Sequence, residues 1–102
     1  MDYLDIVKQI VLKHVPKDEF AIFLFGSRAI GNAKTLSDID IGIMGTKPLP
    51  TLIMADLESD LEESIVPFKT DLIDFYQVDK AFKNEALSTI QIWNCPKSIK
   101  LN

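Results

Sequence analysis

A chain of 102 residues has enough material for one hydrophobic core and too little for two, so it is read as a single domain over residues 1–102, with any further surface supplied by another molecule. Apolar residues make up 47% and charged residues 25%, which excludes an intrinsically disordered chain; the formal charge of −4 withholds the positive field behind non-specific nucleic-acid binding and argues against such a partner. The one cysteine, Cys95, excludes an internal disulfide and lacks companions at zinc-ligand spacing; the acidic start Met1-Asp2-Tyr3-Leu4-Asp5 is unlike a leader and no apolar run reaches membrane length, so a cytoplasmic location is expected.

In chain order, Leu4, Val7, Ile10, Val11 and His14 recur at helical spacing, which predicts a helix from about Asp2 to His14 that Pro16 stops. Phe20 to Phe25 is a short continuous apolar run ending at Gly26; its length and aromatic content favour a buried strand. A connecting helix or loop follows. Asp38 to Met44 then alternates as a two-faced strand, with Ile39, Ile41 and Ile43 on the buried face and Asp38, Asp40 and Gly42 on the other.

Gly45 to Pro50 reads as a loop, after which Ile53, Leu57, Leu61 and Ile65 form one stripe of an amphipathic helix whose outer face carries Asp56, Glu58, Asp60, Glu62 and Glu63 as solvated surface. Past Pro67, residues Phe68 to Tyr76 read as a third strand, with Asp71, Ile73 and Phe75 on one face and Leu72 and Asp74 on the other. Asp79 is an N-cap candidate for a last helix carrying Phe82, Ala86, Leu87 and Ile90, and the tail after Pro96 is expected to be loose. No internal repeat or low-complexity tract interrupts this order. The expected fold class is α/β (α+β), a small mixed β-sheet with helices packed on it.

Asp38 and Asp40, at i and i+2 on a strand, project to one side about 7 Å apart, close enough to share or bridge metal ions. Like charges held together on a half-buried surface call for a cation, although outward acids on an edge strand that discourage aggregation would look the same. Upstream, the apolar strand runs straight into Gly26-Ser27-Arg28. Gly26 permits a tight turn and close approach of a ligand; freed backbone N–H groups, the Ser27 hydroxyl and Arg28 could cradle phosphate, while an ordinary turn and N-cap would use the same residues.

Jointly the residues read Gly26-Ser27, ten residues, then Asp38-X-Asp40, with an apolar strand before each half and an acid-bearing strand later. This combination resembles the motif of the DNA polymerase β-like nucleotidyltransferase superfamily, and in particular its minimal nucleotidyltransferase branch. The resemblance extends over Phe25-Gly26-Ser27-Arg28-Ala29, Ser37-Asp38-Ile39-Asp40-Ile41 and Lys69-Thr70-Asp71-Leu72-Ile73-Asp74. It implies the polymerase β palm-like fold, two Mg²⁺ held by Asp38, Asp40 and a third carboxylate, and a triphosphate received at Gly26, Ser27 and Arg28. Asp71 is the third carboxylate by motif position and strand parity; a shift of one register would substitute Asp74. The implied chemistry is nucleotidyl transfer, with divalent ions polarising the α-phosphate and neutralising the leaving pyrophosphate.

Other residues take plainer readings. His14 fits the dipole at the end of the first helix better than catalysis, Phe20, Phe23 and Phe25 fit a core better than a base-stacking platform, and Lys34 fits a solvated loop. Minimal members resembling this chain pair with a small helical HEPN protein, and many act as antitoxins that adenylylate it; Ile92, Trp93 and the last helix are candidate docking material. The expected function is therefore an enzyme moving AMP from ATP, or another nucleoside monophosphate from its triphosphate, to a hydroxyl on such a partner. The alternatives are transfer to a small-molecule acceptor and a binding module that neutralises a toxin by contact.

Overall fold

The computed structural model describes residues 2–31 and 38–101; Lys34, Ser37 and the link between the first two strands lie outside the described residues. Helix α1 (Tyr3–His14) starts where the Asp2 carboxylate accepts a hydrogen bond from the Leu4 N–H at 2.9 Å, and ends before Pro16. Its apolar side places Val7 and Val11, both fully buried, against the sheet. Helix α2 (Thr51–Glu63) follows Pro50 and buries Leu57 and Leu61. It stops earlier than its four-residue stripe suggests: the Ser64 hydroxyl donates to the Leu61 carbonyl at 2.6 Å and closes the last turn, so Ile65 stands outside the helix, 65% exposed.

Strands β1 (Phe20–Phe25), β2 (Ile39–Gly45), β3 (Thr70–Asp74) and β4 (Gln91–Asn94) form one mixed sheet in the order β3-β2-β1-β4. β1 pairs antiparallel with both β2 and β4, and β2 pairs parallel with β3. Every residue of β1 is buried, as a central strand covered on both faces should be. On one face Ile22, Leu24, Ile39, Ile41 and Ile43 pack under α1 and α2. On the other, Ala21, Phe23, Phe25, Met44 and Phe75 form a second core. Phe20, Phe23 and Phe25 are thus core residues.

The C-terminal fifth departs from expectation. Helix α3 (Lys80–Ala86) does begin at Asp79, whose carboxylate accepts from the Phe82 N–H at 2.8 Å, but it lasts only seven residues. Ser88 donates its hydroxyl to the Glu85 carbonyl, and the chain turns into β4, so Ile92 and Trp93 lie on a strand and not on a helix. Asn94 fastens that strand by donating to the carbonyls of Lys17 and Phe20, each at 2.8 Å. The tail is not loose either: Ile99 and Leu101 are 7% and 6% exposed and pack into the second core. A free face of Phe-rich sheet left open by the short α3 is the physical reason, because two aliphatic side chains gain more by covering it than the tail loses in freedom.

Candidate active site

The site is built at one end of the sheet by register. Phe25, the last residue of β1, is opposite Asp40 on β2, and Asp40 is opposite Asp71 on β3. The three side chains therefore form one row on the face of the second core. Asp74, three residues after Asp71, points the other way and is used structurally. Its carboxylate accepts from the Leu49 N–H at 2.9 Å and the Tyr76 N–H at 3.0 Å, fixing the loop before α2 and the end of β3.

Gly26 follows Phe25 with φ +76°, the left-handed region that glycine enters without penalty, and turns the chain sharply. A Cβ built on Gly26 would overlap the Asp40 Oδ2 atom, so the turn and the carboxylate lie directly against each other. Past it, Ala29 and Ile30 donate to the Gly26 carbonyl at 3.1 and 3.4 Å, which makes residues 27–31 a tight series of turns and leaves Ser27 on the lip of the site.

Electrostatics mark Asp40. Burial pushes its pKa above the usual carboxylate range, the charge of Asp71 adds to the shift, the charge of Asp38 adds less, and a hydrogen bond between the Asp40 and Asp71 carboxyls adds again; Lys69 opposes them. Lys69 Nζ lies 3.6 Å from Asp71 Oδ1. Asp38 stands exposed at the rim, just before β2. The three acids are thus a close pair with a third alongside; among the described residues no group of three or more His, Cys, Asp or Glu side chains forms a ready-made metal cage. The pair still suits a hard divalent cation, since it offers only oxygen donors, is partly dehydrated, and holds two like charges that a cation would relieve.

Residues 7–96 match the family described as Polymerase beta, Nucleotidyltransferase. The probable protein adenylyltransferase MntA of Haemophilus influenzae is 36% identical over 80 residues, spanning 78% of this chain and 68% of that protein. The chain belongs to the polymerase beta nucleotidyltransferase family. Among solved structures, a toxin-antitoxin with AMP-PNP superposes with a TM-score of 0.72 at 22% identity, covering 95% of this chain and 76% of that one. A complex of tri-AMPylated HEPN toxin with MNT antitoxin from Shewanella oneidensis superposes at 0.60 and 20% identity, covering 87% and 70%.

Arg28 carries its guanidinium 4.7 Å from the centre of the Phe68 ring, two residues before β3. His14 bonds through Nε2 to Asp60 at 2.5 Å, joining α1 to α2 on the far side of the sheet from the acids. Two further residues stand at the site without a motif of their own. Lys69 was visible only as a neighbour in the Lys69-Thr70-Asp71 motif. Phe82, which the sequence places only on the last helix, is 41% exposed beside Phe25. No helix among the described residues is long and apolar enough to cross a membrane.

Proposed function

We propose that residues 1–102 work as one cytoplasmic, Mg²⁺-dependent nucleotidyltransferase domain that moves AMP from ATP to a hydroxyl of a partner protein, a small helical HEPN-type toxin, and so serves as its antitoxin. The observation that carries the reading is the contact between the Gly26 turn and Asp40, with Asp71 next in the row: it sets a tight glycine turn directly against an acid pair. The likeness to MntA supplies the acceptor class, and the likeness to the AMP-PNP and AMPylated-toxin complexes agrees with it.

In this reading Asp40 and Asp71, with Asp38 at the rim, hold the cation, and the Ser27 hydroxyl and neighbouring N–H groups receive the β- and γ-phosphates. When bound, Mg²⁺ supplies charge neutralisation at the phosphates. The acceptor oxygen forms a bond to the α-phosphorus while the bond to the bridging oxygen breaks and pyrophosphate leaves with that electron pair. Asp71 lies on the outer strand of the described sheet with 36% of its side chain exposed, in position to orient the acceptor and take up its proton. Presence of both the turn and the acid pair favours catalysis over neutralisation by contact alone.

The test is to purify the chain with the protein encoded beside it, add labelled ATP and Mg²⁺, and follow the mass of both. An AMP-sized gain on the neighbour is expected, lost with Asp40→Asn or Asp71→Asn by about 10³-fold or more and reduced far less by Asp74→Asn at a temperature where that variant is folded. Transfer that survives both substitutions sinks the proposal.

A further inference from the structure

Beside the Gly26–Ser27 turn, on the side away from Asp71, lies a cleft of about 480 Å³ that shares the turn with the proposed phosphate contacts and extends beyond it to α3. One wall is Phe25, Gly26, Ser27 and Ile30; the other is α3, presenting Phe82. Its size falls within that of small-molecule sites, and its lining is mainly apolar with few polar groups, as such sites are.

Phe82 is 41% exposed and Ile30 is 55% exposed, although both stand next to a core that could have covered them. The Phe82 ring is also held from behind. It meets Phe25 edge-on with centroids 6.2 Å apart and Phe75 at 5.7 Å, and Phe75 in turn packs on Phe23 at 4.9 Å. An exposed ring braced in this way keeps its orientation and pays little entropy when a flat ligand lies on it.

We infer that this cleft is the base subsite of the nucleotide, with Phe82 as its stacking platform. The inference rests on the nucleotidyltransferase reading above and extends it to how the base is held. Position decides the occupant. The cleft is continuous with the phosphate turn through Gly26 and Ser27, and Phe25 on its floor is the direct strand partner of Asp40, so cleft and acid pair are about one strand spacing apart. That gap suits a ribose. The apolar lining disfavours a phosphate end and suits the one flat, weakly polar part of the substrate. The nucleotide then bends around the turn, with phosphates toward Asp40 and base toward Phe82.

Calorimetry with the intact chain and Mg²⁺ separates the parts by comparing ATP with inorganic tripolyphosphate, which has no base. Wild type is expected to bind ATP at least about tenfold more tightly than tripolyphosphate, stacking on an aromatic ring being worth that much. Phe82→Ala should remove most of this difference and leave tripolyphosphate binding within about twofold. Thr89→Trp, which fills the cleft from its exposed rim without touching the aromatic core, should do the same and guards against a Phe82 variant that merely loosens the fold. Equal affinity of wild type for ATP and tripolyphosphate overturns the base subsite while leaving the nucleotidyltransferase reading intact. So does ATP binding that both variants retain, or a loss of tripolyphosphate that matches the loss of ATP. Binding of neither compound overturns both readings.

Discussion

Asp40 is the residue whose surroundings least favour its own charge, and that gives the site a pH signature. Its pKa is raised in the folded chain by burial and by Asp71 and Asp38, so the folded state takes up a proton more readily than the unfolded one. Stability from this group therefore falls as pH rises from the ordinary carboxylate range through the raised value, and the penalty is fully present above it. Asp40→Asn is expected to melt at a higher temperature than wild type at neutral pH, with the gap closing as pH is lowered through that window. Thermal unfolding of both proteins from neutral to acid pH checks it. Asp60 shifts the opposite way, lowered chiefly by its hydrogen bond to His14, so its contribution is present above the ordinary carboxylate pKa and lost as pH falls through the lowered one. The pair is half-buried and open to solvent screening on the Asp60 side, so it contributes little, and comparing variant with wild type cancels it. Mg²⁺ should reverse the ranking, raising the wild-type midpoint by linkage and leaving the variant unmoved.

Among the elements, the C-terminal segment after Pro96 is expected to be structural. Ile99→Ala and Leu101→Ala should each destabilise the fold by about 2 kcal/mol, near the lower end for buried aliphatic truncation because neither side chain is completely enclosed. For a domain of this size that is a fall of roughly 8–16 °C in melting temperature, readable by circular dichroism. The contrast with β1 and β2 explains what was legible. Phe20 to Phe25 and Ile39 to Gly45 carry their own pattern, continuous in one and alternating in the other, so their faces and the placement of Asp40 follow from two-residue periodicity. The same parity on β3 put Asp71 beside Asp40 and turned Asp74 away. β4 has only four residues at an edge, with Gln91 and Ile92 both exposed, and no alternation distinguishes it from the end of a helix. Ile99 and Leu101 are placed by an uncovered patch made of residues 21 to 75, a long-range fact that no local window contains. Gly42 had the same hidden reason: a Cβ there would overlap the rings of Phe23 and Phe75, so Gly42→Ala is expected to cost about 1–3 kcal/mol although it lies on a strand.

At the scale of the whole molecule, the Phe25 side of the row is walled by the Gly26 turn and α3, whereas the Asp71 side ends at β3, the outer strand of the described sheet. On the proposed function, an acceptor hydroxyl approaching Asp71 is left to be positioned by something docked on that edge. The isolated chain is expected to modify free tyrosine or threonine more slowly than its protein partner by about 10³-fold or more, since orientation of the nucleophile is the missing contribution. Single-turnover rates with and without the partner measure this; equal rates would show that the chain orients its own acceptor. The row itself has a wider consequence. Residues 25, 40 and 71 meet only when one antiparallel and one parallel pairing have both formed, so no partly assembled sheet holds the complete row. Nucleotide occupancy then works as a certificate of completed folding: amide protection given by the ligand should spread over β1, β2 and β3 as one cooperative unit rather than fade with distance from the turn.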